Sequence, residues 1–269
     1  MGNLTFFLAF LTAGALCLPS SRALCQSPYR LDPFRETVLF SAAVGTGISA
    51  LLVHDATDPL TPEEVAMLSR EDVNGIDRGA TWNHFAAAGT ASDYLVYGLV
   101  AAPAGLLFER RIRDDWQTYF VMWAEALLLA GATVQLTKGL VGRTRPYVYN
   151  PDVPVEDKTS IDARRSFYSS HTAFAFASAV FLSVTYSGYL PDSPGRPWIW
   201  AISLLAASTV GYLRYAAGEH FPTDILTGAA LGVGIGYLVP VLHEVGPEDV
   251  SLTATGGSRS VAVSLVLRF

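Results

Sequence analysis

The segment Arg214-Tyr-Ala-Ala-Gly-Glu-His220-Phe-Pro-Thr-Asp224 leads into a long apolar run and combines a helix start with reactive side chains. Pro222 suits the first helical position, so we predict a helix that begins here and continues to Leu242. A carboxylate four residues after His220 can hold Nδ1 of the imidazole and leave Nε2 free to attack an electrophile. Arg214 adds planar donors that suit phosphate oxygens. Alone, the trio is also compatible with a structural histidine at a helix start.

Two upstream stretches have complementary chemistry. Lys138-Gly-Leu-Val-Gly-Arg-Thr-Arg145-Pro146 follows one apolar run, and Ser166-Phe-Tyr-Ser169-Ser170-His171-Thr172 opens another. The two adjacent serines are suitable N-caps, so the free N–H groups of the first helical turn can form an anion site. Basic residues flanking membrane helices are an alternative explanation for the cations. Together, three basic side chains, two histidines and a helix start indicate a site for a highly charged oxyanion.

The spacings Lys138-x6-Arg145-Pro146, Ser169-x-His171 and Arg214-x5-His220-x3-Asp224 resemble the three-part signature of the type 2 phosphatidic acid phosphatase superfamily. That superfamily also contains soluble bacterial acid phosphatases and vanadium haloperoxidases. The resemblance covers about residues 92–243. Two positions differ: the second motif usually reads Pro-Ser-Gly-His where this chain has Tyr168-Ser169-Ser170-His171, and Leu213 replaces a serine. Serine at position 170 reaches positive φ less easily than glycine does.

The resemblance implies a role for each matched residue. Five of them would hold the phosphoryl oxygens: Lys138, Arg145, Ser169, Ser170 and Arg214. His220 would attack phosphorus and form a phosphohistidine, while Asp224 fixes its tautomer. His171 would protonate the leaving oxygen and then activate the water that releases phosphate. Neither a metal nor another cofactor is implied, because the basic side chains supply the positive charge.

The composition indicates a membrane protein. Hydrophobic residues make up 51% of the 269 residues and charged residues only 16%, against about 25% in ordinary soluble domains. A net charge of −6 without a basic tract argues against a nucleic-acid partner. We predict an all-α, polytopic membrane bundle with about six core helices. Their apolar runs are Thr37–Val53, Tyr94–Phe108, Gln117–Thr137, Thr172–Leu190, Pro197–Leu213 and Ile225–Leu242. Several runs are nearer 17 than 20 residues, so a soluble core remains an alternative.

Four segments are expected along the chain. Residues 1–25 have the apolar run and small residues of an export signal, and residues 26–91 hold the first apolar helix and an acidic surface segment. Within the latter, Thr61-Pro62-Glu63-Glu64 predicts a short capped helix. Residues 92–243 form the catalytic core. In the tail, residues 244–269, alternating apolar residues and Gly256-Gly257 as the turn predict a β-hairpin.

The basic loop Glu109–Asp115 suggests an orientation. By the positive-inside rule it faces the cytoplasm, which places the three motifs on the periplasmic side of a bacterial-type cell membrane. A cleaved signal would reverse this if Thr37–Val53 spans, so either that run does not fully cross or the signal is retained. Glu125, in the middle of an apolar run, is expected to face the bundle interior, as a partner of the basic site or in a packing role.

The predicted function is therefore hydrolysis of phosphate monoesters or pyrophosphates of lipids, with membrane lipids as surroundings. Phosphatidate, phosphatidylglycerol phosphate, an isoprenyl pyrophosphate and a lipid A phosphate all remain possible substrates. The alternatives are a soluble periplasmic non-specific acid phosphatase, a vanadium haloperoxidase, and a non-catalytic membrane scaffold or lipid-binding protein.

Overall fold

A computed structural model describes residues 27–55, 58–245, 250–257 and 260–267, and this part of the chain is mostly helical. The predicted export signal, residues 1–25, lies outside the described residues. Within the described ranges there are nine α-helices: α1 (Pro33–Asp55), α2 (Pro62–Met67), α3 (Ala86–Ala101), α4 (Arg110–Asp114), α5 (Trp116–Val141), α6 (Val155–Lys158), α7 (Ser170–Tyr189), α8 (Arg196–Ala216) and α9 (Pro222–His243).

Local sequence signals fix several helix starts. As predicted, α9 begins at Pro222, and Ser169 caps α7 by accepting a hydrogen bond from the Thr172 N–H. The short helix α2 has the predicted capping box, formed by Thr61 and Glu64. The start of α3 differs from the prediction: it begins at Ala86, eight residues before the predicted apolar run, because Ala86, Ala87 and Ala88 favour helix without being strongly apolar.

Four of the long helical segments are long and apolar enough to cross a membrane: Pro33–His54, Ala86–Phe108, Trp116–Tyr149 and Pro222–His243. The first of these contains Thr37–Val53. Among the described helices, α7 and α8 do not reach this combination of length and hydropathy, so the six predicted spans are reduced to four. Large apolar side chains point outward from the bundle, among them Leu52, Tyr94, Leu205 and Leu226. An outer surface of this kind suits lipid better than water.

Helix packing gives the bundle two distinct ends. The motif end is formed by the C-terminal ends of α5 and α8 and the N-terminal ends of α7 and α9. At the opposite end, which we call the basic end, α4 lies beside the end of α7, and the residues just before α1 lie beside the end of α9. There Arg30 N–H donates to the His243 carbonyl over 2.9 Å, and Arg111 donates to the Tyr189 carbonyl over 3.2 Å.

The tail beyond α9 contains two antiparallel strands, β1 (Val250–Gly257) and β2 (Ser260–Leu267), with Val250 opposite Leu267. Gly256 and Gly257 were predicted to form the turn. They are instead the last residues of β1 and pair with Val261 and Ser260.

Candidate active site

Residues predicted for the site come from four helices and the loops beside them, and the fold brings them to the motif end. Lys138 lies in the last turn of α5, His171 in the first turn of α7 and Arg214 in the last turn of α8. Arg145 lies on the loop after α5, and the Lys138 ammonium is 3.4 Å from the Ser170 hydroxyl. Because these groups lie at helix ends or on the connecting loops, the charges can converge without entering the apolar part of the bundle.

Close packing of α7 against α9 sets the position of the two histidines. Gly228, Gly232 and Gly236 form one stripe of α9, four residues apart, and each faces the backbone of α7. A Cβ on Gly232 would come within 2.4 Å of the Ala173 carbonyl oxygen. Small residues at this spacing allow two helix backbones to approach closely. The approach brings the start of α7, with His171, next to the start of α9.

Glu219 bridges the two arginines of the site. Its Oε2 accepts a hydrogen bond from Arg145 Nη1 and lies 3.2 Å from Arg214 Nη2. Both guanidinium groups are almost fully buried, while the Glu219 side chain is 28% exposed. Arg145 also donates to Asp162 over 2.8 Å. The planar donors that would bind a phosphoryl group are therefore already held in place by carboxylates.

His220 is fully buried in the site. Its exposure is 0%, and neither ring nitrogen makes a hydrogen bond. Burial, followed by the positive charges of Arg145 and Lys138, lowers the pKa of His220 well below its usual 6.5. The ring is therefore neutral at physiological pH, which is the form that can act as a nucleophile.

Asp224 lies beside His220, but its hydrogen bonds go elsewhere. His220 Nδ1 and Asp224 Oδ2 are 3.8 Å apart, too far for the hydrogen bond expected from the sequence. The carboxylate instead accepts from the Ser166 hydroxyl over 2.5 Å, from the Phe221 N–H over 3.0 Å and from Arg143. The helix start explains this, because a carboxylate in the first turn meets the unpaired N–H groups there.

Arg143 connects Asp224 to a second buried carboxylate. Its guanidinium donates to Asp77 over 2.7 Å and to the Thr223 hydroxyl over 2.8 Å, and stacks 4.0 Å from the centre of the Phe221 ring. Burial raises the pKa of Asp77, but hydrogen bonds from Asn74, Arg143 and Thr223 outweigh it and lower the pKa below its usual value. The two aspartates and Arg143 thus form a charged brace under the start of α9.

His171 has a carboxylate partner from a distant helix. Its Nε2 lies 2.8 Å from Asp93 Oδ1, and Arg214 Nη1 lies 3.4 Å from the same oxygen. Asp93 belongs to α3, seventy-eight residues earlier in the chain. Burial, and next the charges of Arg214 and Lys138, lower the pKa of His171 to about 3. Both histidines of the site are therefore neutral at physiological pH.

A comparison with known families covers the same part of the chain. Residues 119–245 match the model of the PAP2 superfamily, and this range includes every residue predicted for the site. The chain belongs to the PAP2 superfamily. Four candidate spans make this PAP2 chain a multi-pass membrane protein.

Individual relatives of this PAP2 chain carry lipid phosphatase names. It is 32% identical over 135 residues to a probable diacylglycerol pyrophosphate phosphatase 1 of Schizosaccharomyces pombe, covering 42% of this chain and 48% of the relative. It is 28% identical over 152 residues to an undecaprenyl-diphosphatase of Sulfolobus acidocaldarius, covering 56% and 66%. The chain thus spans less than two thirds of each of these relatives. The crystal structure of Aquifex aeolicus LpxE superposes with a TM-score of 0.44 at 24% identity, covering 64% of this chain and 98% of that one.

The PAP2 motif residues differ in how the structure places them. Ser170, in place of the usual glycine, is the first residue of α7, and no described non-glycine residue has positive φ, so the substitution fits the backbone. The Ser169 hydroxyl accepts from the N–H and the hydroxyl of Thr172, which makes it a helix cap as well as a candidate phosphate ligand. Glu125 lies thirteen residues before Lys138 on α5, about 20 Å away at the helical rise, and is therefore no partner of the PAP2 site.

Sequence reasoning missed the acidic and bridging residues of the site. These are Asp77, Asp93, Arg143, Asp162, Ser166 and Glu219. For two of them a local signal existed, because Arg143 and Glu219 lie inside the first and third motifs, and charged residues are scarce in this chain. No local signal marks Asp77 or Asp93, since their partners are more than sixty residues away.

Proposed function

We propose that this PAP2 protein hydrolyses phosphate monoesters or pyrophosphates of lipids through a phosphohistidine on His220. The observation that carries the proposal is a fully buried, neutral imidazole without hydrogen bonds, within the field of three cationic side chains. Burying a polar ring unsatisfied is costly, and such groups concentrate at functional sites. An electrophile bound by Lys138, Arg145 and Arg214 would use the free lone pair of that ring.

In the first step the lone pair of a His220 ring nitrogen attacks phosphorus while the bond from phosphorus to the leaving oxygen breaks. The three cations stabilise the charge on the equatorial oxygens. The 3.8 Å gap to Asp224 closes when the ring becomes positive, since catalytic hydrogen bonds are often long before the substrate binds. Asp224 then stabilises the positive charge of the phosphoimidazolium by accepting a hydrogen bond from the ring's other nitrogen.

His171 supplies and removes the protons. Its pKa of about 3 is too low for an acid at neutral pH. A phosphate dianion offsets the charges of Arg214 and Lys138 and so raises the pKa of His171 toward its usual value. The protonated ring gives its proton to the leaving oxygen. As a neutral base it then takes one from water, whose oxygen attacks the phosphohistidine and releases phosphate.

A lipid is the favoured leaving group because the pocket lies at the ends of membrane helices. A substrate anchored in the bilayer would present its phosphate at this depth. The names of the relatives, which include a diacylglycerol pyrophosphate phosphatase and an undecaprenyl-diphosphatase, support a lipid phosphate or pyrophosphate. A lipid A phosphate is supported by the name of a third relative, a lipid A 1-phosphatase.

Phosphate release from a panel of lipids tests this function. Purified protein in detergent would be given phosphatidate, phosphatidylglycerol phosphate, an isoprenyl pyrophosphate and a lipid A phosphate. We expect release from at least one of them and none from a His220→Gln variant. The matched control is His84→Gln, the same change at an exposed position. Equal turnover by wild type and His220→Gln would refute the assignment of His220 as the nucleophile.

The site is proposed to face the periplasm. Arg110, Arg111 and Arg113 lie at the basic end, opposite the motif end, so the positive-inside rule places the motifs outside. This orientation puts the start of α1 on the cytoplasmic side, which favours a retained rather than a cleaved signal. With Cys17 and Cys25 replaced by serine, Asp157→Cys should react with an impermeant thiol reagent in cells whose outer membrane is permeabilised. Asp114→Cys should not, and the reverse pattern would refute the orientation.

A further inference from the structure

A second cluster of ionisable side chains lies at the basic end of the bundle, away from the phosphatase site. It consists of Glu36 on α1, Glu125 on α5 and His243 at the end of α9. One potential ligand atom from each of the three lies within 4.8 Å of the other two. The proposed phosphatase function uses none of them. Glu125 is thirteen residues from Lys138 along α5, which separates the two sites by about 20 Å.

The histidine of this cluster points a lone pair at two carboxylates. His243 Nδ1 is 2.7 Å from the Val239 carbonyl oxygen, so it carries the ring proton as a donor to that oxygen. Nε2 of the neutral ring is then unprotonated, and it makes no hydrogen bond. A backbone carbonyl that fixes the tautomer in this way is a common arrangement behind metal-binding histidines.

Glu125 is left without any hydrogen bond. The residue is 1% exposed, and neither of its carboxylate oxygens has a partner. Glu36 is different: its oxygens accept from Arg35 over 2.8 and 3.2 Å and from the Asp32 N–H over 2.9 Å. Arg35 therefore offsets the charge of Glu36, whereas the buried carboxylate of Glu125 has no cation of its own. Such a charge is very costly unless it is neutralised.

The distances decide what completes the cluster. His243 Nε2 lies 3.3 Å from Glu36 Oε1 and 3.3 Å from Glu125 Oε2. Charge-assisted hydrogen bonds are shorter, about 2.7–2.9 Å. A separation of 3.3 Å equals the edge of a tetrahedron whose corners lie about 2.0 Å from its centre. Zinc binds imidazole and carboxylate ligands at about 2.0–2.2 Å, so the separation fits two ligand atoms of one zinc ion.

We propose that Glu36, Glu125 and His243 bind a divalent transition-metal ion, with zinc as the best match. One nitrogen and two carboxylate oxygens suit this class of ion. The hydrogen bonds that Glu36 accepts, and the one that His243 donates to the Val239 carbonyl, hold the ligands in place, as surrounding groups do in metal sites. Because the ligands come from α1, α5 and α9, the ion would link the first helix to the core and stabilise the fold.

Metal content and thermal unfolding test this site without relying on activity. Protein purified in detergent would be stripped with a chelator and titrated with zinc chloride. We expect close to one zinc per chain and an unfolding temperature that rises with zinc. Glu125→Gln and His243→Gln should each reduce the affinity at least tenfold, while His84→Gln should leave it unchanged.

The unmodified protein alone can overturn the proposal, so a variant that fails to fold does not block the test. If zinc, cobalt and manganese chlorides all fail to bind and leave the unfolding temperature unchanged, the cluster holds a proton instead of a metal. Zinc bound equally well by wild type and by folded Glu125→Gln would also overturn it, because the ion would then lie elsewhere.

Discussion

Replacing Glu219 by glutamine should tighten phosphate binding to the active site. Glu219 contacts both Arg145 and Arg214, so a phosphoryl group that uses these donors must first displace a carboxylate. Glutamine keeps the size of the side chain and removes its charge. The incoming phosphate then competes with a neutral amide instead of an anion.

The magnitude follows from the two contacts. A hydrogen bond between charged groups contributes about 1.5–3 kcal/mol. Since the Glu219 side chain is 28% exposed, water replaces part of what it loses, and we take the low end, about 1.5 kcal/mol in all. That value corresponds to about a tenfold lower inhibition constant for orthophosphate. KM for the lipid substrate should fall in the same direction, with a smaller change in kcat.

The assay is inhibition of lipid phosphate hydrolysis by orthophosphate, with Glu63→Gln on the surface helix α2 as the matched control. The Glu219→Gln variant should also unfold at a lower temperature than wild type without phosphate, because the two guanidinium groups lose their shared counter-ion. Added phosphate should raise the unfolding temperature of the variant back towards that of wild type. An inhibition constant that is unchanged or higher in Glu219→Gln would refute the reasoning. Glu219 would then position the two arginines for the bound phosphate instead of competing with it.

Three further predictions concern the contact between α7 and α9, the charged brace formed by Arg143 and the two aspartates, and the pH dependence of stability. Gly232→Ala should cost about 1–3 kcal/mol because its Cβ would meet backbone 2.4 Å away, whereas Gly234→Ala, with nothing within 4 Å, should not destabilise. Arg143→Ala should cost about 3 kcal/mol by leaving two buried aspartates without their cation. Since the pKa of His171 is about 3 when folded and about 6.5 when unfolded, unfolding free energy should fall as pH drops from about 6.5 towards 3.

Thermal unfolding in detergent measures all three. Equal stability of the two glycine variants would contradict the close helix approach, and a stable Arg143→Ala protein would contradict the brace. For the pH effect, His171 binds a proton in the unfolded chain at pH values where it stays neutral in the folded chain. His171→Gln should therefore flatten the decline of the unfolding free energy with falling pH, and bound phosphate should reduce that decline. A decline that is the same with and without phosphate would contradict the electrostatic cause.

The chemistry-bearing residues could be predicted because they lie in three short motifs with fixed internal spacing. Helix starts within those motifs were also predictable, since Pro222 and Ser169 act through their own backbone neighbours. Hydropathy located the apolar runs, but their ends were less certain. The alanine-rich start of α3 is helical without being apolar enough to stand out.

The remaining site residues depend on tertiary structure. Asp93 meets His171 only because α3 packs beside α7, and Asp77 meets Arg143 only because the loop before α3 returns to the motif end. The sequence left the role of Glu125 open for a similar reason. Its position in an apolar run predicted the interior location that the structure has. Its neighbour His243 could not be predicted, because that residue is the last of α9 and lies at the basic end of the bundle.

The most direct test of the central claim is to locate the phosphoryl group on the enzyme. His171→Gln would be mixed with p-nitrophenyl phosphate, whose leaving group needs no proton, so that the phosphoenzyme forms but its hydrolysis is slow. After an alkaline quench and proteolysis, mass spectrometry should find phosphate on His220, and none when His220→Gln is combined with His171→Gln. Rapid release of p-nitrophenol with no phosphorylated His220 peptide, or with phosphate on another residue, would contradict the account.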